Sequence, residues 1–219
     1  MTGPVDIEAV GPVRVLRWHD GENRFHGASL GAWHAALDEL EHVDGPLAVV
    51  AVGDGRFFSN GLDLDWISSS DDPPGFMAEI HRLFGRLLVF PAYTVAALNG
   101  HTFAAGAMLS SAFDHRIMRE DRGYWCLPEV DLGLPLTPGM TATVTARLPG
   151  PAAHDAMLTG RRYDARAALE MGIIDDIAPE AEVLARAIEV ATTMAPKSRS
   201  VIAEHKRQLF GDASAICLG

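Results

Sequence analysis

The spacing of apolar positions changes several times along the chain, and each change marks an element. Residues 6–10 and 13–18 read as strands separated by Gly11-Pro12, a turn signal, so the chain is expected to open on a hairpin. A helix follows from Ser29, its expected N-cap, with Leu30, Trp33, Leu37 and Leu40 on one face and an end near Asp44-Gly45. Residues 47–52 are a continuous apolar run of strand length, the pattern of a strand covered on both faces. A loop with Gly53, Gly55 and Gly61 comes next. Between Pro74 and Pro91, Phe76, Ile80, Leu83, Phe84, Leu87 and Leu88 recur at helical spacing, and the second proline closes the helix.

Residues 94–98 read as a short buried strand, the small residues of 104–113 as a helix able to pack closely on a sheet, and 115–118 as the next strand. This alternation predicts an α/β domain with helices packed against strands. Beyond Glu129 the character becomes helical, at 141–148, 152–158, 165–171 and 180–194, with a single strand at 173–177. One more helix is expected after Pro196, ending near Phe210 and followed by a loose Gly-Asp-Ala-Ser segment. There is no low-complexity segment and no internal repeat.

Composition narrows the function classes. A chain of 219 residues, 48% hydrophobic and 21% charged, can bury a full core as one domain with a small C-terminal appendage. No run approaches the roughly 20 apolar residues of a membrane span, and the N-terminus lacks the basic-then-apolar pattern of a secretory signal, so a cytoplasmic protein is expected. A net charge of −11 with scattered basic residues argues against a nucleic-acid partner. Local cations such as Arg56, Arg82 and Arg86 leave an anionic small ligand open. Cys126 and Cys217 are the only cysteines and are expected as free thiols, with no metal-site spacing and hence no metal.

The candidate chemistry lies between Asn99 and Pro135. There a small-residue turn opening a helix, Asn99-Gly100-His101-Thr102-Phe103-Ala104-Ala105-Gly106, precedes the single well-placed carboxylate of Pro128-Glu129-Val130-Asp131-Leu132-Gly133-Leu134. Exposed amides at a helix start favour developing negative charge, and a nearby carboxylate can move a proton. A catalytic triad is not indicated, because no Gly-x-Ser-x-Gly elbow accompanies Ser59 or Ser110.

These motifs, with Arg56-Phe57-Phe58-Ser59-Asn60-Gly61-Leu62-Asp63-Leu64 and the region Leu158-Thr159-Gly160-Arg161 to Met171-Gly172-Ile173-Ile174-Asp175, resemble the crotonase superfamily from about residue 13 to 177. This is the enoyl-CoA hydratase/isomerase family. The resemblance implies a crotonase-like spiral of ββα units over residues 1–178, with a shortened helical C-terminal region over 179–219. It also implies an acyl-CoA thioester substrate, whose coenzyme A is the only cofactor, and assembly as a homotrimer or dimer of trimers. By the same resemblance the backbone N–H groups of Leu62 and Ala105 form an oxyanion hole, with Gly61 and Gly106 beside them. Arg56, Ser59 and Asn60 fall in the substrate-binding segment, Arg56 where the family often has a basic residue near the coenzyme A phosphates.

Hydratases of the family use two glutamates, and their motif aligned on this sequence places one at Glu129 and the other at Met108. Methionine can neither orient nor activate water. One carboxylate suffices for a double-bond shift, and the segments around 100–106 and 117–135 look most like the Δ3,Δ2-enoyl-CoA isomerases, especially the short peroxisomal plant type. Glu129 is then the acid/base, its pKa raised by apolar neighbours such as Trp125, Leu127 and Leu134. The alternative is that Glu129 merely caps a turn. Asp131 is read as a turn residue, Asp63 as fixing its loop by hydrogen bonds, and His101 as a turn residue satisfied by backbone. Phe57, Phe58, Trp66 and Phe84 are read as core in preference to an acyl tunnel. Competing functions are another acyl-CoA enzyme of the family, such as a hydratase, thioesterase or decarboxylase, and a scaffold that has lost turnover.

Overall fold

The computed structural model describes residues 3–219. The hairpin is present as β1 (Val5–Val10) and β2 (Val13–Trp18), paired antiparallel with Val10 opposite Val13. Helix α1 (Gly27–Glu41) leads to β3 (Ala48–Gly53), which pairs parallel with β2. Ser29 is not the N-cap of α1. His26 holds that position and donates its backbone N–H to Ser29 Oγ at 3.0 Å, one turn further in.

Three ββα turns follow: β3, β4 (Phe57–Ser59), α2 (Leu64–Ser68) and α3 (Pro73–Leu88); β5 (Tyr93–Leu98), β6 (His101–Phe103) and α4 (Ala105–Ser111); β7 (His115–Arg119), β8 (Trp125–Cys126) and α5 (Glu129–Leu132). The first strand of each turn joins a six-stranded sheet of order β1-β2-β3-β5-β7-β9, closed by β9 (Asp176–Ala178), and the second joins a small sheet β4-β6-β8. This is the expected spiral. The strands of the small sheet and α2 carry no legible period, because two to five residues are too few for one to show.

The main sheet is covered on both faces, which explains the unbroken apolar run of β3. Val49 and Ala51 face the core formed with α1, α3 and α4, while Ala48, Val50 and Val52 face Val183, Ala187 and Ala191 of α9 (Val183–Met194). The strand period of two sends successive side chains to opposite layers. Alanines at four-residue intervals let α9 lie close on the sheet.

Of the helices α6 (Pro138–Arg147), α7 (Gly150–Thr159) and α8 (Ala165–Glu170), α6 packs on α3 and α4, α7 on α5 and α6, and α8 beside β9. Two expectations need correction here. The strand expected at 173–177 is Asp176–Ala178, since Ile173 and Ile174 turn into the core instead of joining the ladder. The last helix does not end near Phe210: α10 runs Arg199–Leu218, straight through the Gly-Asp-Ala-Ser segment. Phe210, Ser214 and Cys217 share a buried face, and Ser214 Oγ donates to the Gly85 carbonyl of α3 at 2.9 Å. That packing outweighs the roughly 1 kcal/mol helix cost of a glycine.

Candidate active site

Glu129 opens the four-residue helix α5 and faces a cavity of about 550 Å³. It is the single carboxylate among the described residues lining that cavity, whose walls are otherwise mostly apolar, including Leu62, Leu64, Ile67, Met77, Leu134 and Met140. One carboxylate oxygen, Oε2, is buried without a hydrogen-bond partner. Loss of solvent, only partly offset by a backbone hydrogen bond, pushes the Glu129 pKa above the usual carboxylate range. Of the neighbours expected to desolvate it, Leu134 lines the cavity while Trp125 and Leu127 are buried in the core.

Leu62 and Ala105 also line this cavity. Phe25 bridges to the backbone on either side of Leu62, donating to the Gly61 carbonyl at 2.8 Å and accepting from the Asp63 N–H at 2.9 Å. The Leu62 N–H has no protein acceptor among the described residues, and neither does that of Ala105, the first residue of α4. The preceding Ala104 has φ 51° and ψ −125°, a conformation that costs an alanine about 1–3 kcal/mol. Its own N–H is tied to the Cys126 carbonyl at 3.0 Å, so the strained turn is held from the β8 side while the next amide is left free.

Of the other anticipated residues, Asn60 lines the cavity. Ser59, Gly61 and Gly106 are buried behind it and shape the backbone. A Cβ at Gly106 would come within 2.6 Å of Ser59 Cβ, so glycine lets α4 start directly against β4. Arg56 is exposed and outside the lining residues. Two cations that drew no attention in the sequence do line the cavity, Arg24 and Arg162. Arg24 is held by Glu22 through two contacts to Oε2 at 2.9 and 2.8 Å, and Asn60 Nδ2 donates to the same oxygen at 2.8 Å. Arg162 lies over the Phe103 ring, 5.7 Å from its centroid. Neither arginine belongs to a periodic element whose face could be read, so no sequence signal marked them. Arg82 and Arg86 serve ion pairs elsewhere, with Glu79 and with Asp38 and Glu41.

Met108 is fully buried in the core and does not line the cavity. Asp63 caps α2, accepting from the Trp66 N–H at 3.0 Å, as its loop-fixing reading requires. His101 departs from expectation: its ring Nδ1 is buried without a partner, and the ring sits among Phe57, Phe103 and Tyr124. Desolvation and the neighbouring arginines 56, 122 and 162 lower its pKa, favouring the neutral imidazole. Cys126, at the cavity wall, and Cys217 are free and buried, and desolvation raises the Cys126 pKa to about 11, which keeps it a thiol. No cluster of potential metal ligands occurs among the described residues. No described helix is long and apolar enough to cross a membrane.

The arrangement of a desolvated carboxyl beside free backbone donors invites comparison with known proteins. A profile described as enoyl-CoA hydratase/isomerase matches residues 20–215. The peroxisomal enoyl-CoA delta isomerase 2 of Arabidopsis thaliana is 30% identical over 90% of this chain and 88% of its own length. A putative enoyl-CoA hydratase of Thermus thermophilus is 36% identical over 73% of this chain and 64% of its own length. A solved apo enoyl-CoA isomerase from Mycobacterium tuberculosis superposes with TM-score 0.90 at 29% identity, covering 99% of this chain and 95% of that one. The names divide between isomerase and hydratase, but sequence, fold and site agree at the level above: this chain belongs to the enoyl-CoA hydratase/isomerase family, the crotonases.

Proposed function

We propose that this protein is a Δ3,Δ2-enoyl-CoA isomerase, moving the double bond of a 3-enoyl-CoA to the 2-trans position with Glu129 as its one acid/base. The observation that carries this reading is that Glu129 is the single carboxylate among the described cavity residues, while Met108, aligned with the second glutamate of hydratases, is buried in the core.

The thioester oxygen accepts from the Leu62 and Ala105 N–H groups, which have no competing protein acceptor. Glu129 removes a proton from C2, and the electron pair of the C–H bond forms a C1–C2 double bond while the carbonyl π pair moves onto that oxygen; conjugation with the C3–C4 double bond makes this a dienolate with nucleophilic character at C4. Each preorganised donor contributes about 2.7–4 kcal/mol to such a charge in a dry site. The protonated Glu129 then delivers the same proton to C4, and the double bond closes between C2 and C3. Water is not a reactant, and coenzyme A enters only as part of the substrate. A carboxyl with its pKa raised by burial accepts and returns a proton more evenly than a solvated one. Asn60 and the mouth cations Arg24 and Arg162 offer polar contacts to the coenzyme A portion, with Arg56 further out.

The experiment is direct: purified protein is offered 3-enoyl-CoA and 2-trans-enoyl-CoA separately, and conjugation is followed by ultraviolet absorbance. Conjugation of the first without hydration of the second is expected. Rapid hydration of the 2-enoyl ester overturns the proposal, and no turnover of any acyl-CoA favours a scaffold. The homotrimer or dimer of trimers implied by the resemblance is part of the same proposal, and light scattering measures it. So is a cytoplasmic location, tested by fractionating the native source.

A further inference from the structure

A second groove, about 490 Å³, lies behind the apolar wall of the cavity. Adjacent residues face opposite ways across that wall. Ile67 of α2 and Met77 of α3 line the cavity, while their chain neighbours Trp66 and Phe76 line the groove, along with Gly27, Leu30 and Gly31 of α1. The two spaces are therefore separated by a single layer: the five-residue helix α2 and the first turn of α3. The layer is thin in construction as well. Helix α2 has no fully buried residue and is capped by Asp63. Its Trp66 rests on the Phe76 ring at 4.9 Å between centroids and against Gly27, where an added Cβ would stand 2.8 Å from the indole Cζ2.

We propose that this layer, Ile67 and Met77 backed by Trp66 and Phe76, is the partition that sets the longest acyl chain the cavity accepts, and that the groove behind it continues the acyl site once the partition is removed. The proposal rests on the acyl-thioester reading above. The cavity is polar around Arg24, Asn60 and Arg162 and apolar around Leu64, Ile67 and Met77, so a thioester with its carbonyl at Leu62 and Ala105 and its coenzyme A toward the arginines directs its tail at the partition. Met77 is the deformable member, since an unbranched thioether side chain refills space easily. Trp66 is the bulky one, and Gly27, Leu30 and Gly31 of α1 beyond it leave room for a hydrocarbon chain along the apolar side of the groove, whose other lining residues include the polar His34, Ser70, Asp72 and Glu79.

The test measures dissociation constants of saturated acyl-CoAs from C6 to C14 by calorimetry, which requires no turnover. Each methylene that enters the cavity tightens binding about fourfold, the equivalent of ~0.8 kcal/mol per buried CH₂. For the parent protein the gain stops at the chain length that meets the partition. Trp66→Ala combined with Met77→Ala is expected to carry the fourfold steps on by several more carbons. Met77→Trp is expected to move the break to shorter chains, and it keeps the test decisive if the double variant does not fold. A break at the same chain length in a folded variant overturns the partition while leaving the isomerase reading intact. Binding of no acyl-CoA by the parent overturns the acyl-thioester reading and the partition with it. Normal acyl-CoA binding without isomerisation overturns the proposed reaction alone.

Discussion

Gly61 lies directly against the turn that carries Ala105: a Cβ placed on Gly61 would stand 3.2 Å from the Ala105 nitrogen and 2.8 Å from Ala104 Cβ. This close approach brings the Leu62 backbone, one residue on, to the Ala105 amide. It sets two segments separated by over forty residues side by side, as the proposed oxyanion hole requires.

Gly61→Ala therefore tests the proposed oxyanion hole. Besides the contact, Gly61 has φ +82°, a conformation that strains an alanine. The two backbones must part, and kcat on 3-enoyl-CoA is expected to fall about 100- to 1,000-fold, the effect of losing one such donor. Binding of a saturated acyl-CoA, measured by calorimetry, changes far less, because the donors matter most when charge develops.

Glu129→Gln keeps the shape of the side chain and removes the base. Stopped-flow or steady-state absorbance is expected to show a loss of about 10²–10⁴ in kcat, with acyl-CoA affinity retained. The parent loses activity as pH falls through the raised Glu129 pKa, because the proton acceptor is then already protonated. That acidic limb stands at higher pH than an ordinary carboxylate would give, and Glu129→Gln has no limb of that origin.

The same desolvation has a consequence for stability. The folded-state pKa of Glu129 lies above its unfolded value, so between the two the folded protein binds a proton that the unfolded chain has released. Stability falls as pH rises through that window. Glu129→Gln is thus expected to melt above the parent at about pH 7.5, with the difference closing near pH 3, below the unfolded carboxyl's range. Calorimetric melts at the two pH values measure it. A parent that melts higher at neutral pH would refute the assignment of a desolvation cost to this carboxyl.

Met108→Glu does not make a hydratase. The Met108 side chain is wholly inside the core, so a glutamate there is an unpaired buried charge. Urea unfolding is expected to show a loss of about 3–5 kcal/mol, and the 2-enoyl ester remains unhydrated.

Lys206 anchors α10 to the sheet, with Nζ 2.5 Å from Asp114 Oδ2 and 2.9 Å from the Ala92 carbonyl, in a buried setting. Lys206→Ala leaves Asp114 with its Thr94 donors and no directly paired cation, the charge of Arg116 being more distant. Urea unfolding should register a loss of about 3–5 kcal/mol, and Lys206→Met with Asp114→Asn should recover part of it, since an ion pair replaced on both sides costs less than one broken.

The sequence by itself determined the large elements, because long amphipathic or two-sided apolar runs have few ways to bury themselves. Helix α3 is legible in Phe76, Ile80, Leu83 and Leu87, and β3 in its unbroken run from Leu47. It also determined the family, through the order of short motifs, and it put Glu129 beside a turn suited to free amides. Tertiary structure decided what spacing does not encode. The three short strands β4, β6 and β8 exist by pairing with one another across distant segments, and Ala104 holds its strained φ because that pairing and Gly61 fix it on two sides. Helix α10 passes its glycine because α3 and α6 supply the packing. The cavity collects Arg24, Phe103 and Arg162 from three separate parts of the chain, and each alone carries no sign of the others. Local sequence writes periodicity and turn chemistry, while a site formed by convergence is written only in the contacts that folding makes.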